Sequence, residues 1–138
     1  MESLLFHGGT VYTTAGAWED GWLLVSGGTI SALGRGKPPE MSGARFVDLD
    51  GCDLLPGLID MHIHGAAGHD VMESDTEALR TIARFLARHG VTSFLASTIT
   101  ASPDQIRAAL RTIGDVMHQD TGGAQLLGAH LEGPYINA

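Results

Sequence analysis

Two histidines separated by one residue, His62 and His64, close the apolar run Pro56-Gly57-Leu58-Ile59-Asp60-Met61-His62-Ile63-His64, which breaks at Gly65. In a β-strand successive side chains alternate faces, so both imidazoles point the same way and lie close together. Neutral imidazoles so placed can share one divalent cation, and imidazole suits zinc, iron, nickel or copper. A second run, Leu127-Gly128-Ala129-His130-Leu131-Glu132, ends on Gly133-Pro134 and leaves the Glu132 carboxylate at another strand end. Alone, Glu132 reads as an ordinary loop carboxylate. With the histidine pair upstream it reads as a third ligand. His130, two residues earlier, shares its face and points toward the same place without a separate duty. Asp60 shares the face of His62 and His64 by parity; it either orients an imidazole or bonds backbone.

The elements that must position these groups fall into two stretches. Up to about residue 55 the chain reads as short strands separated by glycine turns, at 4–7, 10–13, 22–26, 29–33 and 45–49, with Gly27-Gly28 as a hairpin signal. Residues 34–42, with Pro38-Pro39, read as a loop. After Pro56 the period changes. A strand over 58–64 leads through the small-residue loop Gly65-Ala66-Ala67-Gly68-His69-Asp70 into an amphipathic helix over 75–89. Ser74 and Glu77 suggest its capping box, Gly90 its C-terminal stop, and Leu79, Ile82, Ala83 and Leu86 its apolar stripe. A strand over 91–97 follows, then a helix from Pro103 to about His118. Ser102 and Gln105 form the box of that helix, and Ile106, Leu110, Ile113 and Met117 form its stripe. A last strand covers 125–131.

Strand–helix–strand–helix–strand predicts a parallel sheet, and in parallel α/β folds ligands sit beyond the carboxyl ends of the strands. The histidine pair and Glu132 both lie there, so two ligand sets from neighbouring parallel strands can converge. Three such strands do not close a (β/α) barrel, which takes eight and about 250 residues. The expected architecture is therefore α/β: part of a β-sandwich over 1–55, then the first three β/α units of an incomplete TIM barrel over 56–138. The chain is expected to be the N-terminal fragment of a larger enzyme.

Composition narrows the partners. A formal net charge of −8 argues against nucleic acid, and no stretch approaches the length of a membrane span. Arg80, Arg84 and Arg88 recur every four residues and read as a solvated helix stripe. His69, His89 and His118 read as loop or helix-end histidines. The single cysteine, Cys52, excludes an internal disulfide and fits a reducing compartment. With no basic segment before the first apolar residues, the expected address is the cytoplasm.

The motif from Pro56 to His64 resembles the first barrel strand of the amidohydrolase superfamily. Together, His64-Gly65-Ala66-Ala67-Gly68-His69-Asp70 and His130-Leu131-Glu132-Gly133-Pro134-Tyr135-Ile136-Asn137 resemble one family within it, the N-acetylglucosamine-6-phosphate deacetylases. A dihydroorotase is expected to carry arginine where this chain has Ala66. Many superfamily members bridge two metals with a carbamylated lysine; here the only lysine is Lys37, in the N-terminal loop. The deacetylases use a third-strand glutamate, and Glu132 matches that position.

The resemblance implies a cytoplasmic, homodimeric enzyme of amino-sugar catabolism that holds one or two divalent cations, zinc or iron. Its substrate would be a small amino-sugar phosphate, N-acetyl-D-glucosamine 6-phosphate, hydrolysed to D-glucosamine 6-phosphate and acetate, with no nucleic acid or membrane involved. The presence of both His62 and His64 points to the two-metal branch. The metal ligands in this chain would be His62, His64 and Glu132. The proton-transferring residue and the remaining ligands would lie on later strands, so no catalytic acid or base is assigned here and the segment alone is expected to be inactive. Two other readings remain: a different amidohydrolase acting on a cyclic amide or N-acyl amino acid, or a structural fragment without activity.

Overall fold

Glycines shape the first strand more than the apolar residues around them do. In the computed structural model, which describes residues 3–137, the chain forms two units, Met1–Pro56 and Gly57–Ala138. Met1, Glu2 and Ala138 lie outside the described residues. The first unit contains β1 (Ser3–Thr13), β2 (Gly16–Ser26), β3 (Thr29–Arg35), β4 (Ala44–Asp48) and β5 (Asp53–Leu54).

The strands expected at 4–7 and 10–13 are one strand, β1, with irregular register around Gly9. Before that point β1 pairs in parallel with β4, and after it with β5. At the changeover a β-carbon on Gly9 would lie 2.1 Å from the Cys52 carbonyl oxygen. Only glycine admits that approach, so the pair Gly8-Gly9 works inside the strand as a switch of partner. The other edge is a meander: β2 pairs antiparallel with β1, and β3 with β2 across the Gly27-Gly28 turn. The sheet order is β3-β2-β1-β4, with β5 also on β1. Leu5, Val11 and Leu24 are its buried apolar residues.

The second unit contains β6 (Leu58–Ile63), β7 (Gly65–Ala66), β8 (His69–Asp70), a short 3-10 helix (Val71–Glu73), α1 (Thr76–Ala87), β9 (Val91–Ser97), α2 (Pro103–Val116) and β10 (Gln125–His130). Its main sheet is parallel throughout, ordered β10-β9-β6. This corrects one expectation. The strands carrying His62 and Glu132 are not neighbours, because β9 runs between them.

Both helices form where their stripes predict and turn those stripes inward, with Leu110 and Met117 of the second stripe only partly buried. Leu79, Ile82, Ala83 and Leu86 of α1 pack with Ile113 and Val116 of α2 and with Phe94, Ala96 and Leu126 of the sheet. Ser102 and Gln105 make the expected reciprocal cap of α2. At α1 the cap differs. Asp75, not Ser74, receives the Glu77 amide, at 3.0 Å. The reason lies upstream: the 3-10 helix has its own capping box, Asp70 with Glu73, and Ser74 ends it in the left-handed conformation (φ 56). That turn shifts the start of α1 by one residue.

The loop after His64 is likewise more ordered than its small residues suggest. β7 and β8 pair antiparallel across Ala67-Gly68, and the buried Val71 anchors the hairpin in the core. Ile59 and Met61 of β6 and Leu127 of β10 are exposed. No helix among the described residues is long and apolar enough to cross a membrane.

Candidate metal centre

The three ligand candidates meet at one point. His62 lies on β6, His64 just past its end, and Glu132 two residues past the end of β10. His62 Nε2 lies 2.8 Å from Glu132 Oε2 and 3.1 Å from His64 Nε2, and His64 Nε2 lies 3.2 Å from the same carboxylate oxygen. The rings stand nearly perpendicular, at 71°. All three side chains are one-third to one-half exposed, so the point of convergence is open to solvent.

These separations fit a shared cation. Ligand atoms about 2.1 Å from one ion lie about 3.0 Å apart at right angles and about 3.4 Å apart at tetrahedral angles. The observed separations, 2.8, 3.1 and 3.2 Å, lie close to the shorter of these values, so the three groups would be able to hold one cation together. Without a cation, each imidazole would need its Nε2 proton to reach the carboxylate, and two N–H donors would face each other at 3.1 Å. A cation removes that conflict, since both nitrogens then act as acceptors. The proton of each neutral ring then sits on Nδ1; that of His64 is buried without a partner among the described residues.

The surroundings assign the other polar groups. Asp60 accepts the His62 backbone N–H at 3.0 Å, which makes it a backbone clamp rather than an imidazole partner. The His130 ring lies 4.5 Å from that of His62, tilted by 44°, and its Nδ1 lies 3.2 Å from Ser97 Oγ. His69 sits beside Glu73, 3.2 Å from its carboxylate. The Asp70 backbone N–H and the neighbouring His69 hold the Glu73 carboxyl below its ordinary range. His89 bonds the Phe85 carbonyl at the end of α1. His118 lines a cavity of about 410 Å³ with Gln119, Asp120 and Gln125, at the opposite, amino-terminal end of β10.

Sequence reasoning passed over Ser97 and Thr98. Both are fully buried at the end of β9, and the Thr98 hydroxyl accepts the Glu132 backbone N–H at 3.3 Å. A pair of hydroxyls closing an apolar strand was the available signal.

Residues 54–136 match the amidohydrolase family. The chain belongs to that family. It is similar to the N-acetylglucosamine-6-phosphate deacetylase of Vibrio furnissii, 46% identical over 112 residues that cover 79% of this chain and 27% of that protein. It is also similar to the N-acetylgalactosamine-6-phosphate deacetylase of Escherichia coli O157:H7, 39% identical over 123 residues, 86% of this chain and 31% of that one. Among solved structures, that of the N-acetylglucosamine-6-phosphate deacetylase from Pasteurella multocida matches with a TM-score of 0.87 at 28% identity, covering 98% of this chain and 35% of the other. The chain thus spans about a quarter to a third of the length of these relatives.

Proposed function

We propose that this amidohydrolase chain belongs to a metal-dependent deacetylase that converts N-acetyl-D-glucosamine 6-phosphate and water to D-glucosamine 6-phosphate and acetate. The observation that carries the reading is the convergence of His62, His64 and Glu132 in a chain 46% identical to a deacetylase of that name. These residues would hold one or two divalent cations, zinc or iron. Such a cation, when bound, supplies a Lewis acid that polarises an amide carbonyl and makes water more acidic. Glu132 brings the negative charge that holds it, and the imidazoles bring neutral donors whose orientation is fixed by β6. His130, packed on the His62 ring, limits how that ring can turn.

Further parts of the reading rest on the same similarity. Residues 1–55 would contribute to a β-sandwich, and residues 56–138 would open a (β/α) barrel in a cytoplasmic homodimer. The proton carrier is assigned to no residue of this chain, and residues 1–138 alone are expected to release no acetate. The net charge of −8 supports a small substrate over nucleic acid. A second substrate, N-acetylgalactosamine 6-phosphate, is favoured by the 39% identity to the Escherichia coli O157:H7 relative.

The test is acetate release by the full-length protein from both sugar phosphates, before chelation, after chelation, and after zinc or iron is restored. Activity on the glucosamine ester that chelation abolishes and metal restores is the expected result. Activity on the galactosamine ester alone would move the assignment to the epimer. No release from either would end the deacetylase reading.

A further inference from the structure

We infer that Ser97 and Thr98, at the end of β9, are positioning residues for the His62–His64–Glu132 site, although β9 supplies no ligand itself. The inference rests on the reading of those three residues as metal ligands.

The need for such a device follows from the strand order. β9 lies between β6 and β10, so the two ligand-bearing strands are two strand spacings apart, roughly 9–10 Å. Yet His62 Nε2 and Glu132 Oε2 stand 2.8 Å from each other. Both side chains must lean inward over the end of β9, and whatever lies there sets the lean.

The contacts at that end are specific. Thr98 bonds the β10 side twice: its N–H donates to the His130 carbonyl at 3.0 Å, and its hydroxyl accepts the Glu132 N–H at 3.3 Å. The second bond fixes the backbone from which the carboxylate springs. Ser97 Oγ meets His130 Nδ1 at 3.2 Å, and the His130 ring lies against that of His62. Ser97 thereby reaches the β6 ligand through one intervening ring. One residue further, Gly133 (φ 72) closes the same contact: a β-carbon there would sit 2.2 Å from Thr100 Oγ1. The Glu132-Gly133 backbone therefore lies directly on the segment that leaves β9.

Both hydroxyls are fully buried, where a hydroxyl costs stability unless it is bonded. Alanine or valine would suit an apolar strand end. The partners of Ser97 and Thr98 explain why hydroxyls stand there instead, because each partner is a ligand's backbone or a ring packed on a ligand. Groups that orient metal ligands in this way typically change metal affinity 10- to 100-fold when removed.

The experiment uses the full-length protein and zinc, titrated in competition with a chelator of known affinity, with thermal unfolding of the metal-free protein recorded alongside. Thr98→Val is expected to weaken zinc at least tenfold. Thr98→Ser, which keeps the hydroxyl but loses a buried methyl, should lower the unfolding temperature while holding zinc within about threefold of the parent. That split is one a merely structural role would not produce. Ser97→Ala, acting through His130, is expected to weaken zinc less than Thr98→Val but measurably. Glu132→Gln serves as the reference for a lost ligand. If it loses zinc while Thr98→Val and Ser97→Ala both bind as the parent does, the positioning role is overturned and the ligand reading stands. If Glu132→Gln binds as tightly as the parent, the ligand reading itself falls, and this inference with it. Should Thr98→Val fail to fold, Thr98→Ser and Ser97→Ala decide the matter: unchanged zinc affinity in Ser97→Ala, or lost affinity in Thr98→Ser, overturns it.

Discussion

The two units solve the problem of placing side chains in opposite ways. In residues 1–56 most pairing is between neighbours in sequence, and the meander of β1, β2 and β3 sends successive strand ends to opposite sides. Among the described residues, its ion pairs lie at the surface, Asp20 with Arg35 and Lys37 with Glu40, contacts of little energetic weight. In residues 57–138 the three strands of the main sheet are parallel, so their carboxyl ends reach the same edge. His62, His64 and Glu132, up to 70 residues apart, converge there. Antiparallel neighbours build a sheet cheaply from local turns, but parallel strands gather distant residues at one place, and that is where chemistry collects.

The sharpest way to break this comparison is to remove a charge from each unit in turn. Glu132→Gln in the full-length protein should cut acetate release by orders of magnitude while the melting temperature moves little. Asp20→Asn, in the first unit, should leave release within about twofold, as for an exposed surface residue. A parallel loss in both variants would mean that the first unit takes part in the chemistry.

Packing gives the next largest effect. Phe94→Ala, in the core shared by α1, α2 and the sheet, should cost about 3–5 kcal/mol in urea unfolding and weaken zinc binding with it. Leu5→Ala, in the first unit, should cost about 2–5 kcal/mol without loosening zinc in the protein that remains folded. Equal zinc affinity in the two variants would show that the site does not depend on the second unit's core.

The start of α1 offers a smaller and cleaner contrast. Asp75→Ala should cost about 1 kcal/mol, because the Glu77 amide loses its acceptor. Ser74→Ala should cost less than about 0.5 kcal/mol, since Ser74 does not cap this helix. The reverse order would restore the cap that the sequence pattern suggests.

Smallest is a pH effect in the 3-10 helix that follows the β7–β8 hairpin. The Glu73 carboxyl is held below 4.5 in the folded chain by the Asp70 amide and His69. A folded value below the unfolded one means that its contribution is complete above about pH 4.5 and is lost as pH falls through the folded value. Glu73→Gln should therefore flatten the acid limb of the stability curve and leave stability changes near neutrality independent of pH. An unchanged acid limb would contradict the assignment.

Much of the second unit is legible in the sequence because its signals are periodic and reinforce one another. The stripe of α1, the Ser102–Gln105 cap and the alternation that puts His62 beside His64 all depend on residues close in the chain. What escapes the sequence is set by tertiary pairing. Gly8-Gly9 looks like a turn, but it sits inside β1, because the Cys52 carbonyl needs the space that a side chain would fill. Asp75 displaces Ser74 as cap because a 3-10 turn upstream claims Ser74 first. The strand between the ligand candidates is a third case: alternation along β6 and β10 says nothing of which strand separates them, so Ser97 and Thr98 stay hidden until the sheet order is known.

The central claim is that His62, His64 and Glu132 hold one cation together. Anomalous diffraction at the zinc edge from crystals of the full-length, zinc-loaded protein tests it most directly. The account predicts a peak within about 2.0–2.2 Å of His62 Nε2, His64 Nε2 and a Glu132 carboxylate oxygen. A site that leaves both imidazoles free, or a peak bound elsewhere with Glu132 unliganded, would contradict it.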